Sequence, residues 1–310
     1  MRAISQDVLG GPEVLKVVEV DRPEPGISEV LVRVHAAGVN PTDYWHRQTG
    51  GLYDRPIRLG WDVSGVVEAV GLGVTMFRPG DEVYGMPRLP QPAGTYAEYV
   101  VSPARHLARK PTNLTHTEAA AVPLVALTAW QSLVDTADVR PGQRVLVHAA
   151  AGGVGHLAVQ IAKQRGAYVI GTASAAKHDF VTGLGADEVI DYTREDFAET
   201  VRDIDVVVDT IGGEYGPRSL RTLRPGGLVV SLASPEEAAL AEAAEPLGLR
   251  AGFTIVEPDH GALKEITALI EAGRLRAVVD TVLPLEEAAK AHEIGERGRT
   301  AGKIVLTVAG

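Results

Sequence analysis

A strand, a glycine turn and a helix follow one another at residues 144–165, and few folds accommodate that order. The strand-like run RVLVHAA leads into AGGVG at residues 151–155, after which apolar residues recur at helical spacing. Glycine lets backbone N–H groups approach a pyrophosphate closely, and a helix N-terminus favours its negative charge. We therefore expect Ala151, Gly152, Gly153 and Val154 to contact a dinucleotide. The alternative is a turn kept small only for packing.

Strand-like and helix-like segments alternate from residue 144 to about 253. The runs VLV and DVVVD have no alternating polar positions. This pattern is typical of parallel strands covered on both faces. The sequence therefore predicts a doubly wound α/β domain over residues 125–253.

The flanking segments have other patterns. Short β-type runs between glycines and prolines predict a small, strongly bent β domain of barrel type over the first 110 residues. Residues 112–133 have helical spacing, with Thr115 and Glu118 as a capping box. Beyond residue 253, two amphipathic helices and the strand GKIVLTV are expected to pack on the first domain.

The second strand of the α/β domain predicts the type of dinucleotide. An NAD site usually has Asp or Glu about 20 residues after the glycine turn, where the carboxylate binds the ribose diol. Here the stretch GTASAAK carries no acid, and Ser174 and Lys177 offer a hydroxyl and a positive charge instead. Tyr192 ends the third strand at the same edge. The pattern favours NADPH; a solvated lysine and a core tyrosine are the alternatives.

Composition excludes several classes of protein. The chain has no cysteine, which rules out disulfides, thiolate metal sites and a cysteine nucleophile. A net charge of -10 argues against nucleic acid or an anionic membrane as the main partner. No apolar run approaches the length that spans a bilayer, and residues 1–7 do not resemble a signal peptide. We expect a cytoplasmic protein.

A set of motifs in a fixed order resembles one family. The motifs are GWDVSGVVEAVG (60–71), RPGDEVYG (78–85), GTYAEYV (94–100), LTAW (127–130), the turn AAAGGVG, LGADEVIDY (184–192) and GRTAGKIVLTV near the end. Together they resemble the zinc-free quinone oxidoreductase branch of the medium-chain dehydrogenase/reductase superfamily. The resemblance extends from one end of the chain to the other.

The resemblance implies a domain organisation and an assembly. A GroES-like β-barrel catalytic domain would span residues 1–124, a Rossmann domain with a doubly wound parallel sheet residues 125–253, and a C-terminal segment, 254–310, would return to the catalytic domain. The cofactor would lie between the two domains. A homodimer would form by pairing the last Rossmann strands, near GLVVSLAS (227–234).

Further cofactor contacts also follow from the resemblance. Thr128 of LTAW corresponds to a threonine at the nicotinamide, and Lys303 to a cation that reaches the pyrophosphate. Three strand ends, at residues 210–212, 232–234 and 253–255, would line the dinucleotide. The residues proposed there are Ile211, Leu232, Phe253 and Ile255.

The resemblance also bears on metal. Zinc-dependent relatives hold their metal with Cys, His and Cys, and the matching positions here are Asn40, Trp61 and Leu124. These side chains cannot form a tetrahedral nitrogen and sulfur site, so we expect no metal. Without a metal to stabilise an alkoxide, a hydride acceptor that spreads its negative charge is favoured, such as a quinone or an α,β-unsaturated carbonyl.

The segment GVNPTDYWHRQ holds the candidate catalytic residues. The resemblance places Asn40 and Asp43 beside the nicotinamide and aromatic residues at Trp45 and Tyr53. Asn40 could donate a hydrogen bond to the substrate oxygen, whereas Trp45 replaces the tyrosine usual there. Asp43 as a helix cap and Trp45 as a core residue remain alternatives. No residue is a convincing general acid, so water is expected to supply the proton.

Three other functions stay open from the sequence. An enoyl-thioester reductase of a biosynthetic pathway differs only in whether the pocket admits a pantetheine arm. A non-catalytic NADPH-binding structural or RNA-binding relative is disfavoured by the acidic charge. A methyltransferase has a similar glycine turn but fits the barrel-type first domain poorly.

Overall fold

The computed structural model describes residues 1–233 and 238–308. Two compact units form: Met1–Leu127 with Glu257–Gly310, and Thr128–Val256. The family resemblance places the two domain boundaries after residue 124 and after residue 253. Ser234, the end of the predicted strand-end contact at 232–234, lies outside the described residues.

Strands and short helices alternate along much of the chain. The strands are β1 (Arg2–Ser5), β2 (Lys16–Glu19), β3 (Glu29–Val39), β4 (Val63–Val70), β5 (Glu82–Gly85), β6 (Tyr99–Pro103), β7 (Leu107–Arg109), β8 (Arg144–Val147), β9 (Tyr168–Ala173), β10 (Glu188–Asp191), β11 (Ile204–Asp209), β12 (Leu223–Ser231), β13 (Arg250–Phe253), β14 (Val279–Pro284) and β15 (Lys303–Thr307). The α-helices are α1 (Pro41–Thr49), α2 (His116–Ala120), α3 (Pro123–Trp130), α4 (Gly155–Gln164), α5 (His178–Gly183), α6 (Phe197–Thr200), α7 (Tyr215–Leu220), α8 (Ala238–Ala244), α9 (His260–Glu271) and α10 (Ala288–Glu296). The short 3-10 turns are Pro12–Val14, Gly51–Tyr53, Ala104–His106, Ala175–Lys177, Glu245–Leu247 and Leu285–Glu287, and Gln131–Thr136 is a π-helical turn.

The first unit is built around the long strand β3. It pairs with β4, β6 and β15 in a seven-stranded sheet of order β14-β15-β3-β4-β5-β7, with β6 attached to β3. The tail enters this sheet through β15, where Val305 pairs with Gly38 and Thr307 with Ala36. β15, close to residue 308, therefore completes a sheet whose strand β3 lies within the first forty residues.

The second unit is a six-stranded parallel sheet of order β10-β9-β8-β11-β12-β13. Counted from β8, this is the strand order 3-2-1-4-5-6 of the doubly wound dinucleotide-binding fold. The side chains of Leu146, Ile170, Val207 and Val229 are buried in one cluster, and burial of each contributes about 1.5–3 kcal/mol. The predicted α/β class, with GroES-like and Rossmann parts, is confirmed.

A local signal placed the start of one helix, α2, correctly. Thr115 and Glu118 form the predicted capping box at the start of α2, with the Glu118 N–H donating to Thr115 Oγ1 at 3.3 Å. The predicted helix over 112–133 is broken, however, because α2 ends before Pro123, which begins α3. None of the helices within the described ranges has the length and apolar character needed to cross a membrane.

The predicted dimer edge is wrong. β12 contains most of GLVVSLAS, yet it pairs with β11 on one side and with β13 on the other. Both of its hydrogen-bonding edges are therefore used within one chain. The outer strands of the sheet are β10 and β13, so any pairing between copies at the β13 end of the sheet must involve Arg250–Phe253.

Candidate functional site

Six strand ends meet at one edge of the second unit's sheet. Because all six strands are parallel, their carboxyl ends lie along the same edge, where ligands of doubly wound sheets bind. Except for Thr128 and Lys303, the predicted cofactor residues follow or end these strands: the turn at 151–154 after β8, Ser174 and Lys177 after β9, Tyr192 after β10, Ile211 after β11, Leu232 after β12, and Phe253 and Ile255 at the end of β13. The fold thus brings together residues that are up to a hundred positions apart.

Two glycines of the turn, Gly155 and Gly152, differ in how much space an added Cβ would have. A Cβ on Gly155 would lie 2.3 Å from the Ala149 carbonyl oxygen, so only glycine fits there. A Cβ on Gly152 would come no closer than 3.2 Å to that oxygen. Within the described part of the chain, the N–H groups of Gly153 and Val154 have no acceptor. Unpaired donors beside the start of α4 fit a pyrophosphate.

His148 immediately precedes the glycine turn and bonds to three neighbouring segments. Its ring is buried and bonds to Ser219 Oγ at 2.9 Å and Thr172 Oγ1 at 3.3 Å, and its carbonyl accepts from Thr210 Oγ1. Burial lowers the pKa of His148 to about 3, and Arg218 adds to this effect. The ring is therefore neutral at physiological pH. The sequence did not reveal this residue, because nothing local distinguishes it.

The proposed phosphate-binding segment leaves the sheet after β9. Ser174 begins the 3-10 turn that carries Lys177, whose N–H donates to the Ser174 carbonyl at 2.8 Å. Tyr192 is half exposed, so it is not the core tyrosine considered as an alternative. The structure adds an acid that was not expected at this edge: Asp191 pairs with Ala173 across the β9–β10 ladder.

The carboxylate of Asp191 is held by its own loop. Asp191 Oδ1 accepts from the Thr193 hydroxyl at 2.7 Å and from its N–H at 3.0 Å, and the hydroxyl is the main cause of a lowered pKa at Asp191. His178 and Arg194 lower that pKa further. Positive charge at Arg194 therefore favours the ionised form of this carboxylate.

Thr128 lies in α3 and is buried, with its carbonyl accepting from Ser132 Oγ at 2.7 Å. The π-helical turn Gln131–Thr136 follows directly. Its position in the second unit is thus known, and its contact with a nicotinamide remains a prediction.

A buried charge cluster joins β3, the start of α1 and β15 in the first unit. Asn40 Nδ2 donates to Asp62 Oδ2 at 2.9 Å, and the side-chain carbonyl oxygen of Asn40 accepts from Lys303. Lys303 Nζ also donates to the Val39 carbonyl at 2.8 Å and lies 3.3 Å from Asp62 Oδ2. Burial lowers the pKa of Lys303, and Asp62 opposes this shift.

This cluster corrects two site predictions. The predicted contact of Lys303 with a pyrophosphate does not agree with its position, because three oxygens already take its three N–H donors and the side chain is buried. Asn40 is likewise committed to Asp62 and Lys303 and is inaccessible to a substrate in this arrangement. Asp62 Oδ1 also accepts a hydrogen bond from the Leu124 N–H at 2.7 Å, and Asp62 was not identified from the sequence as part of the site.

Asp43 holds the start of α1 against the next loop. Its Oδ2 accepts from the Asn40 N–H at 2.8 Å and its Oδ1 from the Gly60 N–H at 2.9 Å. Burial raises the pKa of Asp43 to about 7, although these two bonds oppose the rise. These bonds match the capping alternative, and contact with a substrate remains a prediction.

An aromatic group surrounds His46 at the end of α1. The rings of Trp45, Tyr53 and Trp61 lie 4.8, 6.1 and 4.9 Å from its ring centre. His46 Nδ1 bonds the Thr42 carbonyl at 2.8 Å, and its Nε2 is buried without a partner in the described chain. Trp45 is 42% exposed and is therefore not a core residue.

Two loops are tied together beside this aromatic group. The Tyr53 hydroxyl donates to the Pro90 carbonyl at 2.8 Å, and Trp61 Nε1 donates to the Gln91 carbonyl at 2.9 Å. The loops are residues 50–60 and 86–94. Tyr53 therefore fixes loop geometry, which the sequence did not predict.

The C-terminal end of α1 is anchored to α10. Arg47 is buried, donates to the Gly10 carbonyl and to His292 Nδ1 at 3.0 Å each, and pairs with Glu296. Burial, followed by the Arg47 charge, lowers the pKa of His292 to about 3. Arg47, which lies in the segment that holds the candidate catalytic residues, therefore joins α10 to the loop at Gly10.

In the parts of the chain that the structure describes, no three His, Cys, Asp or Glu residues are grouped so as to hold a metal ion.

Two family models match the chain, described as "Alcohol dehydrogenase GroES-like domain" for residues 26–112 and "Zinc-binding dehydrogenase" for residues 184–306. A curated protein from Danio rerio, "NAD(P)H oxidoreductase RTN4IP1, mitochondrial", is 34% identical over 328 residues, which cover 91% of this chain and 84% of that protein.

Two solved structures are similar over the whole chain. The quinone oxidoreductase from Coxiella burnetii has a TM-score of 0.95 at 37% identity, covering 100% of this chain and 99% of that one. The Escherichia coli quinone oxidoreductase complexed with NADPH has a TM-score of 0.89 at 31% identity, covering 99% and 100%. The similarity thus includes both units.

Proposed function

The chain belongs to the zinc-free quinone oxidoreductase branch of the medium-chain dehydrogenase/reductase superfamily, and from this membership we propose that it is an NADPH-dependent reductase of quinones or α,β-unsaturated carbonyls. Its relatives support the broader description, an NAD(P)H oxidoreductase. The observation that carries the proposal is the row of predicted cofactor residues along one sheet edge, beside a glycine turn with unpaired N–H donors.

The residues of the second unit fit a dinucleotide. The turn at 151–154 offers N–H donors to the pyrophosphate, and the half-exposed apolar side chains of Tyr192, Ile211, Phe253 and Ile255 offer contact surface at the strand ends. Ser174 and Lys177 would bind the 2′-phosphate. When bound, NADPH supplies a hydride from its nicotinamide.

The proposed substrate class follows from charge. Quinones and enones spread the negative charge that develops on reduction over an aromatic oxyanion or an enolate, so a few hydrogen-bond donors suffice. At the positions where the family resemblance puts metal ligands, this chain has Asn40, Trp61 and Leu124, which cannot provide the tetrahedral N/S site of a catalytic zinc.

We assign different tasks to the four candidate catalytic residues. Asn40 and Asp43 are positioning residues, because their polar atoms hold Asp62, Lys303 and the Gly60 loop. Trp45, in α1, offers an exposed flat ring surface to a substrate, and Tyr53 holds the loop that follows α1 to the Pro90 carbonyl. Water supplies the proton, because His46 Nδ1 is bonded to Thr42 and its Nε2 is enclosed by rings.

A titration with NADPH and NADH, followed by turnover of 1,4-benzoquinone and a panel of enones, tests this proposal. We expect Ser174→Ala with Lys177→Ala to weaken NADPH binding by roughly 10–100-fold and NADH binding by less than about two-fold, because charge-assisted bonds to phosphate are lost. Lys16→Ala, an exposed lysine in the first unit, is the matched control. Equal weakening of both coenzymes would refute the role of Ser174 and Lys177.

A reductase of enoyl thioesters is the second candidate. Arg55 and Arg58 are exposed, follow Tyr53 closely in sequence, and would suit the phosphate of a phosphopantetheine arm. NADPH binding without turnover of any of these electrophiles would instead indicate a non-catalytic relative.

We also propose a homodimer and a cytoplasmic location. The dimer would form by antiparallel pairing of two β13 strands, which would cover the exposed edge of each sheet. The cytoplasmic location stays a prediction, and microscopy of the tagged protein tests it.

A further inference from the structure

A cavity of about 330 Å³ lies in the first unit where three segments meet. Its walls are residues 5–6 at the end of β1, residues 55–58 after the Gly51–Tyr53 turn, and residues 92–94 before β6. A volume of this size is at the lower end of the range for small-molecule sites. The lining includes Arg55 and Arg58 and no acidic side chain.

The two arginines differ from many others in this unit. Arg2 is paired with Glu98, Arg88 with Glu29 and Arg109 with Asp81. In the described chain, neither Arg55 nor Arg58 has an ion pair, and each carries several N–H donors in a planar fork suited to carboxylate or phosphate. The cavity therefore has two positive charges without a counter-charge.

A buried amide forms part of the same wall. Gln6 is only 6% exposed, and both its Oε1 and its Nε2 are buried without a hydrogen-bond partner in the described structure. Such groups are rare in folded proteins because leaving them unpaired costs free energy. A change of the Gln6 rotamer on binding would bring Nε2 to an oxyanion in the cavity and Oε1 to a substrate hydroxyl or a water. Gln6 is thus a second, independent sign of a ligand.

The cavity adjoins the residues proposed for the substrate. Two of its segments continue the loops that Tyr53 and Trp61 tie together through the Pro90 and Gln91 carbonyls. A further pair of backbone bonds, from Thr95 N–H to the Gly60 carbonyl at 3.2 Å and from Tyr96 N–H to the Leu59 carbonyl at 3.3 Å, closes the two loops on each other. The positions of the arginines relative to the aromatic group are therefore set by the fold.

We propose that this cavity binds an oxyanion carried by the electrophile, a carboxylate or a phosphate, so that the preferred substrate of the reductase is anionic. The inference rests on the proposed reductase function and names the substrate class of that site. It is separate from the dinucleotide residues, which belong to the second unit.

Matched pairs of substrates test the proposal. trans-4-Oxo-2-pentenoate and its methyl ester present the same enone with and without a carboxylate. For Arg55→Gln with Arg58→Gln, we expect KM for the acid to rise roughly 10–100-fold and KM for the ester to change less than about two-fold, because only the acid loses charge-assisted bonds. The control is Arg105→Gln, an exposed arginine of the same unit outside the cavity.

A second pair distinguishes the source of the oxyanion. Crotonyl-CoA carries phosphates, whereas the N-acetylcysteamine thioester of crotonate carries none. A KM for crotonyl-CoA that rises in the double variant, with no change for the neutral thioester, assigns the cavity to a carrier phosphate. A rise confined to 4-oxo-2-pentenoate assigns it to a carboxylate on the substrate itself.

Direct binding gives a readout independent of turnover. Protein saturated with NADPH, so that its dinucleotide site is filled, is titrated calorimetrically with inorganic phosphate and pyrophosphate. We expect binding to the wild type and to Arg105→Gln, and at least about ten-fold weaker binding to the double variant. Gln6→Met should weaken binding as well without lowering Tm, because an apolar side chain of similar length removes two unpaired polar atoms.

The outcomes separate the two proposals. Unchanged KM ratios together with unchanged phosphate binding in the double variant would overturn the anion site. If neutral and anionic electrophiles alike show no turnover with the wild type, the reductase function fails and the anionic-substrate assignment falls with it, while the phosphate titration still decides whether the cavity binds oxyanions. A lower Tm for Gln6→Met with unchanged binding would make Gln6 structural and count against the site.

Discussion

Lys303 illustrates how one buried charge is stabilised by residues far from it in sequence. Its ammonium group meets Asn40, 263 positions earlier in the chain, and Asp62, 241 positions earlier. Taking such a pair out of water is costly, and removal of one partner leaves the other charge buried without compensation. The side chain therefore stabilises the joint between the tail and β3.

Replacement of Lys303 by Met tests this role against the phosphate contact implied by the family resemblance. We expect the variant to lose about 3–5 kcal/mol of unfolding free energy, because Asp62 is left buried and unpaired. The Kd for NADPH should stay within about two-fold of the wild type. Urea unfolding and fluorescence titration measure both, with Lys16→Met as control. A weakened Kd with unchanged stability would restore the phosphate role.

Stability against acid depends on residues with strongly shifted pKa values. Burial lowers the pKa of both His148 and His292 to about 3, below the unfolded value of about 6.5. The folded protein then binds fewer protons than the unfolded chain between these values. Their stabilisation is complete above pH 6.5 and is lost as the pH falls towards 3. Asp43, with a folded pKa of about 7, acts in the opposite direction between pH 7 and 4.

The His148→Gln variant tests this linkage. Glutamine keeps a donor and an acceptor for Ser219 and Thr172 but does not titrate. Between pH 6 and 4, the fall of unfolding free energy should be shallower than in the wild type by about 1.4 kcal/mol per pH unit. Urea unfolding across this range, with His260→Gln as control, measures the slope. Equal slopes for wild type and variant would contradict the assignment.

At the scale of elements, the glycine turn separates packing from binding. Gly155 is required by the fold, since its added Cβ would meet Ala149 and Ala150 at 2.3 and 2.8 Å. At Gly152 the nearest contact of an added Cβ, the Ala149 carbonyl oxygen, is 3.2 Å away, which a small shift relieves, and the backbone φ is not in the left-handed region. A glycine that the protein itself does not need is best explained by the close approach of a ligand.

Two alanine variants test this distinction. Gly155→Ala should lower the unfolding free energy by about 2 kcal/mol or more, because backbone has to move to admit the methyl group. Gly152→Ala should keep its stability and weaken NADPH binding by roughly ten-fold or more, because the methyl group displaces the pyrophosphate. Thermal unfolding without coenzyme and NADPH titration give the two readings. Full NADPH affinity in Gly152→Ala would argue for the packing explanation of that glycine.

Helices and strands were predicted best where the signal is local. The Thr115–Glu118 box placed the start of α2, and the apolar runs placed the buried strands β8 and β11. The break before α3 at Pro123 was passed over because the apolar spacing continues through it. The π-helical turn Gln131–Thr136 has no such local signal, because its hydrogen-bond shift depends on packing around the helix.

For the whole molecule, an outer strand of the parallel sheet offers one way for two copies to associate. A strand edge without a partner is a template for pairing, and β13 is one of the two outer strands in the second unit, with β10 at the other end. A Cβ on Gly252 would have no neighbour within 4 Å in one chain. A large charged side chain there is compatible with the monomer and unfavourable in a paired edge.

The Gly252→Glu variant tests the dimer. We expect the wild type to elute as a dimer and the variant as a monomer in size-exclusion chromatography with light scattering, because two like charges would face each other across the pairing. Tm measured at low protein concentration should change little. Ala239→Glu, at an exposed position of α8, is the control. Gly248, in the turn before β13, has equally open space but is a poorer control position, because its positive φ would strain a glutamate. A variant that remains dimeric would refute pairing through β13.

The sequence by itself determined the α/β class and the glycine turn with its flanking strand and helix, because these depend on periodicity and on glycine, which act over a few neighbouring positions. The strand-end residues 211, 232, 253 and 255 came instead from the family resemblance. Only the tertiary structure decided that Lys303 is buried against Asp62, that β13 is an outer strand, and that Arg55, Arg58 and Gln6 line one cavity. These outcomes depend on contacts between distant segments. The free energy of burying or pairing a charge is set by whatever the fold places beside it, and no local pattern records that.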